Sequence, residues 1–256
     1  KNWRSFLVAM DKFNEHLSAK GIVFACSMYN IQHTVTPVNG KLQVRLECER
    51  PDVEIRYTVD GKEPTDRSLL YKNPLMVTDT QTIKCATYRA GRQMGKILTL
   101  PLAWNKATAK PVLGNTQAGK ILVNGIRGSL RQSDFEWHSW ESSDSVAFTI
   151  DLQKKELLRS VSVGCITNYG MAAHKPADIE VWVSNNNRDY RKVSGKQFTD
   201  GEIFREGTFK EDVVLDLNKE IGRYVRIIAK GVGECPATHV RPGQEARIYF
   251  DEVMIE

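Results

Sequence analysis

The sequence has no run of about 18 apolar residues, the length a helix needs to cross a bilayer, so it supplies no membrane-spanning helix. It also lacks GxSxG, HExxH, a phosphate-cradling glycine loop and a dinucleotide fingerprint. The hydrolases, metalloproteases and nucleotide enzymes built on those motifs are therefore not indicated. Cysteine is sparse and unpaired in pattern: Cys26, Cys48, Cys85, Cys165 and Cys235 are widely separated and odd in number, with no CxxC. Cys48, Cys85 and Cys165 lie in alternating apolar runs and read as small buried hydrophobes, with a Cys48–Cys85 bridge left open. CPATH sets Cys235 and His239 four apart, but its proline argues against a helix, and no zinc site is expected there. Despite a net charge of +5, no basic run exceeds two residues, and acids alternate with bases throughout. That is a solvated mixed-charge surface, so no nucleic-acid partner is expected. The opening KNWRSF has neither an initiator Met nor an export signal, which reads as a processed protein or a piece excised from a longer one.

What is present is ordinary folded-protein composition, 41% apolar and 26% charged, in a length that holds two modest domains. Residues 2–20 predict a helix. Trp3, Phe6, Leu7, Met10, Phe13 and Leu17 form one broad apolar stripe, Asp11, Lys12, Asn14 and Glu15 fall opposite, and Gly21 stands where a left-handed cap ends a helix. IVFACSMYNI follows as a strand or extended segment. So wide a stripe needs a partner, either a larger domain or the β domain that comes next.

Residues 37–102 read as short strands. KLQVRLECE and EIRYTV alternate, the latter ending at the tight-turn pair Asp60-Gly61, and PLMVTD and TIKCATYR add two more. Residues 103–119 (AWNKATAKPVLGNTQAG) are a polar, Pro- and Gly-bearing linker. From 120 to 256, VAFTIDL, SVSVGCI, DIEVWVS, DVVLDL, YVRIIAK and ARIYF are β-branched or aromatic runs with no sustained helical period, the pattern of a jelly roll. The expected fold is thus mainly β: a small Ig-like sandwich, then a discoidin-like jelly-roll sandwich, preceded by one N-terminal helix and an extended segment over 1–36.

YTVDGKEPT, SLLY and TIKCATYRAGRQMG, taken together, resemble the immunoglobulin-like domain at the C-terminus of chitobiases and β-hexosaminidases. ILVNGIRGS, Trp137, VAFTIDL, DIEVWVSNNNRDYRKV, GRYVRIIA and FDEVMIE resemble the discoidin-like, coagulation-factor C type domain shared by family 32 carbohydrate-binding modules. With NWRSFL similar to a last barrel helix, the order of parts resembles the tail of a bacterial glycoside hydrolase family 20 enzyme, an exo-β-N-acetylhexosaminidase. The resemblance implies that residues 1–36 are the stub of a catalytic barrel. It implies the parent's catalytic domain as partner, glycans as a further partner, and a periplasmic, cell-surface or secreted bacterial location.

The Gly-Gly-Asp-Glu context that carries catalysis in that family is absent, and Asp251-Glu252 lies in a closing strand, so no catalytic residue is assigned. A Cys235 nucleophile with His239 as base lacks an orienting group. The resemblance instead implies a structural calcium tying the first loop to the last strand, through Ile121, Asn124, Ile126, Ser129, Asp251 and Glu252. Such an ion takes six to eight oxygens at roughly 2.3–2.6 Å. Asn124 stands where the family uses Asp, which removes a charge; the competing reading has Asn124-Gly125 as a plain turn and Glu252 paired with Arg127 or Arg131. Ile248 and Phe250 share a phase that Val253 and Ile255 break, which predicts a bulge at Asp251-Glu252. For glycans the loop candidates are Trp140, Tyr169, His174, His239 and Arg241, with Trp137 assigned to the core. The expected role is a non-catalytic accessory region, with a carbohydrate-binding module for GlcNAc- or galactose-containing glycans as the alternative.

Overall fold

The structure, a computed structural model, describes residues 2–22, 27–115, 117–141 and 145–256. The run expected to be extended from Ile22 includes residues 23–26, Cys26 among them, which lie outside the described residues. In order come α1 (Trp3–Ala19), β1 (Ile31–Val38), β2 (Lys41–Cys48), β3 (Glu54–Thr58), β4 (Leu69–Leu70), β5 (Leu75–Val77), β6 (Gln81–Arg89), β7 (Arg92–Gln93) and β8 (Leu98–Leu102). Then follow β9 (Val112–Leu113), β10 (His138–Glu141), β11 (Ser145–Asn168), β12 (Asp178–Ser184), β13 (Arg191–Gln197), the single turn α2 (Asp200–Ile203), β14 (Thr208–Lys230) and β15 (Arg247–Ile255). The class is as expected: mainly β, an Ig-like part and a discoidin-like jelly roll, with one N-terminal helix. The chain divides into two compact units, residues 1–32, 46–72 and 84–99 against 33–45, 73–83 and 100–256. These do not follow the contiguous limits 37–102 and 120–256. Successive strands of the first part enter different sheets, so each sheet gathers separated segments.

The first unit holds α1 and the order β4-β3-β6-β7. Gly21 has φ +68° and closes the helix, with Ile22 N donating to Leu17 O at 3.0 Å. α1 buries Leu7 and Asn14, half-buries Asp11, and leaves Trp3, Phe6 and Phe13 exposed. Asp11 and Asn14 were expected on the solvent side and instead turn inward. The cause at Asp11 is Arg50, 4% exposed, whose guanidinium needs buried counter-charge. Its Nη2 reaches Asp11 Oδ2 at 2.6 Å and Asp52 Oδ2 at 2.7 Å; Arg89 Nη1 reaches both carboxylates at 3.0 Å, and Tyr29 OH donates to Asp11 Oδ1 at 2.6 Å. Burial pushes the Asp11 carboxyl up, but the bonds from Tyr29, Arg50 and Arg89 outweigh it and hold it below the ordinary value. Asp60-Gly61 is the expected turn: Gly61 has φ +76°, and Asp60 Oδ1 accepts from Lys62 N at 3.1 Å. Tyr71 has a structural job, its hydroxyl accepting from Leu46 N at 3.0 Å. Cys48 and Cys85 are free, so the bridge left open does not form.

The second unit contains the order β1-β2-β5 and the large sheet β10-β15-β11-β14-β12-β13, with β9 on β11. β11 and β14 pair from Ser145↔Lys230 to Asn168↔Thr208, with register shifts between Asp151 and Glu156, where Gln153 takes positive φ, and between Leu158 and Ser160, opposite Asn218 and Lys219 with positive φ. The alternation read in VAFTIDL is the core face: Val146, Phe148, Ile150 and Leu152 are buried with Val161, Val163, Val225, Ile227 and Phe250. Each such side chain contributes roughly 1.5–3 kcal/mol on burial. On β15, Val163↔Val253 gives way to Cys165↔Phe250, so one residue of β11, Gly164, faces two of β15. The extra residue falls at Asp251-Glu252, the bulge predicted from the phase break, and all of 250–253 is buried.

Candidate functional site

The bulge turns two carboxylates inward. Asp251 and Glu252 are both 0% exposed. Asp251 Oδ2 accepts from Arg127 Nε and Gly128 N, each at 2.9 Å, and Oδ1 accepts from Glu252 N at 2.6 Å. Arg127 also pairs with Asp212. The expected pairing alternative for Glu252 is thus corrected: Arg127 goes to Asp251, because the loop places its side chain on that carboxylate. Burial pushes the Asp251 carboxyl up despite Arg127. Glu252 Oε2 accepts from Gly125 N at 3.0 Å, while Oε1 has no hydrogen-bond partner among the described residues. The Asn105 side chain approaches Glu252 closely enough to favour its ionised form by hydrogen bonding, although Asn105 Nδ2 and Glu252 Oε1 each lack a partner with full hydrogen-bond geometry among the described residues. Complete burial drives the Glu252 carboxyl well above its ordinary value.

The loop facing this strand pair is tightly built. Asn124, 2% exposed, accepts from Ile126 N at 2.9 Å through Oδ1 and donates from Nδ2 to Glu136 Oε2 at 2.7 Å. Ile121 O accepts from Asn124 N, and Ser129 Oγ accepts from Arg131 N at 3.1 Å. Trp137 is buried as expected, its Nε1 donating to Ser129 O at 3.0 Å. The backbone at Gly125 and Gly128 thus meets Glu252 and Asp251, with Ile121, Asn124 and Ile126 in the same loop, while Ser129 is exposed and its hydroxyl faces Arg131 N. The fit to a calcium ion rests on one atom, a buried carboxylate oxygen of Glu252 without a hydrogen-bond partner among the described residues.

The glycan candidates divide. Trp140 stands apart on β10, its ring stacked on Phe148 at 6.1 Å and edge-on to Phe250 at 5.5 Å, as part of the core wall. Tyr169, His174, His239 and Arg241 come together. A 3-10 turn at Tyr169–Met171 ends β11, and Ala172 at φ +54° reverses the chain so that His174 N donates to Arg247 O at 2.9 Å. The 231–246 segment between β14 and β15 folds over them through Cys235 N to Gln244 O and His239 N to Pro236 O. The ring centroids of Tyr169 and His239 lie 4.0 Å apart, those of His174 and His239 5.1 Å, and Phe204 is 5.0 Å from His174.

Burial splits this cluster in two. His174 is 1% exposed and His239 4%, whereas Arg241 is exposed and bonds Gly170 O and Gln244 Oε1. Burial pushes the His174 imidazole down to about 4 and lowers His239 as well, so both rings are neutral near pH 7. Cys235, buried, completes the group: its sulfur and one nitrogen of each histidine lie within 4.8 Å of one another. The Cys235–His239 spacing was legible in CPATH. The third member, His174, was weighed only for sugar, because nothing local in sequence links it to Cys235.

Comparison with family models matches residues 36–99 to the chitobiase/beta-hexosaminidase C-terminal domain and residues 106–240 to the F5/8 type C domain. Among solved structures, the C-terminal domain of a chitobiase from Bacteroides fragilis is 11% identical over 44% of this chain and 63% of that one, with a TM-score of 0.29. The chain thus spans 63% of the length of that domain. Chitosan-binding module 1 of a chitosanase/glucanase from Paenibacillus sp. IK-5 is 14% identical over 60% of this chain and 98% of that one, TM-score 0.38. The Clostridium perfringens module CpGH89CBM32-4, in complex with glcNAc-alpha-1,4-galactose, is 18% identical over 60% and 94%, TM-score 0.37. No curated protein matches the chain. The loop 121–129, Trp137, the β11–β14 ribbon and most of the 231–246 segment fall inside the F5/8 type C match, which covers more than half of the sequence, and the chain belongs to that discoidin-like family.

Proposed function

We propose that the chain is a non-catalytic accessory region of a β-N-acetylhexosaminidase-like glycoside hydrolase, packing on the catalytic domain or positioning it. The observation that carries this reading is the outer face of α1. Trp3, Phe6 and Phe13 are 58%, 49% and 55% exposed, and the Trp3 and Phe6 rings stack at 5.3 Å. The same helix is fastened on its other side by Leu7, Asn14 and the Arg50 network. A helix held on one side with three large aromatics outward has the character of a docking face. The match of residues 36–99 to a hexosaminidase C-terminal domain supports a catalytic domain as what it meets. Such an enzyme works at the cell surface, in the periplasm or outside a bacterial cell.

In this reading a structural calcium, held by Asn124, Glu252, the Ser129 hydroxyl and the carbonyls of Ile121, Ile126 and Asp251, supplies a cross-link and takes part in no reaction step. Asn124 in place of a carboxylate lowers its affinity. The test is association of this chain with the parent's separately expressed catalytic domain. Binding by calorimetry that Phe6→Ser/Phe13→Ser weakens at least tenfold supports the reading; no association refutes it. The chain alone should not turn over a chromogenic GlcNAc glycoside.

A second reading, a module for GlcNAc- or galactose-containing glycans, is favoured by exposed Arg241 beside half-buried Tyr169 at one loop surface. A glycan array with and without EDTA decides it. Signal lost in Arg241→Ala supports binding there.

A further inference from the structure

We propose that His174, Cys235 and His239 form a three-ligand site for zinc. Three features of the structure converge on it. The ligand atoms lie within 4.8 Å of one another, and all three residues are buried. The Nε2 atoms of both histidines are buried without a hydrogen-bond partner among the described residues. A polar atom left so costs roughly 1–3 kcal/mol, and an ion held between the two rings would relieve both. His174 is also already oriented. Its Nδ1 lies 3.1 Å from Ile203 O, a carbonyl that only accepts, so Nδ1 carries the proton and Nε2 presents its lone pair.

One thiolate with two imidazoles suits zinc over calcium or magnesium, which take oxygen. Ligand atoms on one tetrahedral zinc are roughly 3.3–3.6 Å apart, from Zn–S of about 2.3 Å and Zn–N of about 2.0–2.1 Å, so closure from the present spacing needs a rotamer adjustment near an ångström. His239 Nδ1 accepts from Arg241 N at 3.0 Å, which places its proton on Nε2. On loading, that proton moves to Nδ1 and the Arg241 N–H loses its acceptor. The Cys235 thiol loses its proton to solvent, so one zinc ion enters, one proton leaves, and water fills the fourth position. The ion would staple the 231–246 segment to the start of β12, with Tyr169 and Phe204 as apolar wall. This inference stands independently of the accessory reading.

The test uses the intact chain, stripped with chelator and titrated with Zn2+ or Co2+ alone. One equivalent should bind, and Co2+ should give a thiolate-to-cobalt charge-transfer band with the visible bands of a tetrahedral centre. Excess Ca2+ should not bleach it, which separates this site from the Asn124–Glu252 loop. Cys235→Ser should abolish the band, and His174→Gln or His239→Gln should weaken binding on the order of tenfold or more. Alkylation in partial denaturant, followed by peptide mapping of the unmutated chain, should show Cys235 modified more slowly with Zn2+ than without it, a readout that survives if a variant fails to fold. A folded wild-type chain that gives no band and no protection of Cys235 overturns the proposal.

Discussion

Gly164 is the position at which one added methyl group should do the most damage. It lies on β11 beside the bulge, where a Cβ would stand 1.9 Å from Asp251 Oδ1, 2.5 Å from Arg127 Nη2 and 2.8 Å from Asp251 Cγ. The carboxylate cannot yield easily. It is 0% exposed and fixed by Arg127 Nε, Gly128 N and Glu252 N. Gly164→Ala must therefore push Asp251 off Arg127 or bend β11. Overpacking alone costs roughly 1–3 kcal/mol, and uncoupling a buried pair roughly 3–5 kcal/mol. Alanine's advantage over glycine within a strand returns at most about 1 kcal/mol. The expected loss is about 3–5 kcal/mol, or roughly 6–20 °C in Tm at 2–4 °C per kcal/mol. Denaturant midpoints at constant slope measure it. The cause is checked by coupling: in an Asp251→Ala background the methyl group meets only Arg127 Nη2, the far end of a flexible side chain released from its carboxylate, and the added loss should fall below about 1 kcal/mol. A single-mutant loss under about 1 kcal/mol, or full additivity with Asp251→Ala, would refute the reasoning.

Three further outcomes are expected. The Arg50 guanidinium holds the Asp52 carboxyl at about 2 against an ordinary 3.8. The unfolded chain therefore binds the extra proton between those values, so the pair's contribution is complete above pH 3.8 and is lost as pH falls through about 2. Hydrogen exchange of α1 should report this, and Asp52→Asn should flatten the dependence. Adding Ca2+ should raise Tm in a manner that follows its concentration, and Glu252→Gln should abolish the rise; an unchanged wild-type Tm at millimolar Ca2+ would count against the ion. Trp140→Ala should cost roughly 3 kcal/mol of stability, since its ring packs on Phe148 and Phe250. A variant as stable as wild type, with altered glycan binding only, would show that the ring works at the surface instead.

Much of this molecule is legible wherever side-chain phase decides structure. The alternation in VAFTIDL marks the core face of β11, Asp60-Gly61 marks a turn, and the phase break after Phe250 locates the bulge. These are local signals, because a strand's period and a glycine's φ do not depend on distant partners. Partner choice is different. The stripe on α1 was visible, but which side of it is buried was not, since Asp11 turns inward only because Arg50, far along the chain, requires it. Likewise Cys235 and His239 are near in sequence, while His174 reaches them only when β11 ends in a 3-10 turn and the 231–246 segment closes over it.

The inward-facing acids show how one unforeseen pairing reorganises a site that sequence had otherwise outlined. Arg127 neutralises Asp251, and that leaves Glu252 as the acid of this pair with an open oxygen. Had Arg127 gone to Glu252, a loop cation would have found no free carboxylate at all. The choice is set by the bulge. With one extra residue, Asp251 and Glu252 stand on either side of it, the first toward Gly164 and Arg127, the second toward Gly125. Gly164 has no side chain because the Asp251 carboxylate fills that space. The calcium proposed at Glu252 and the predicted intolerance of Gly164 to a methyl group therefore share one cause. A substitution that removes the bulge should change both together, with Ca2+ response and the Gly164→Ala penalty lost in the same variant.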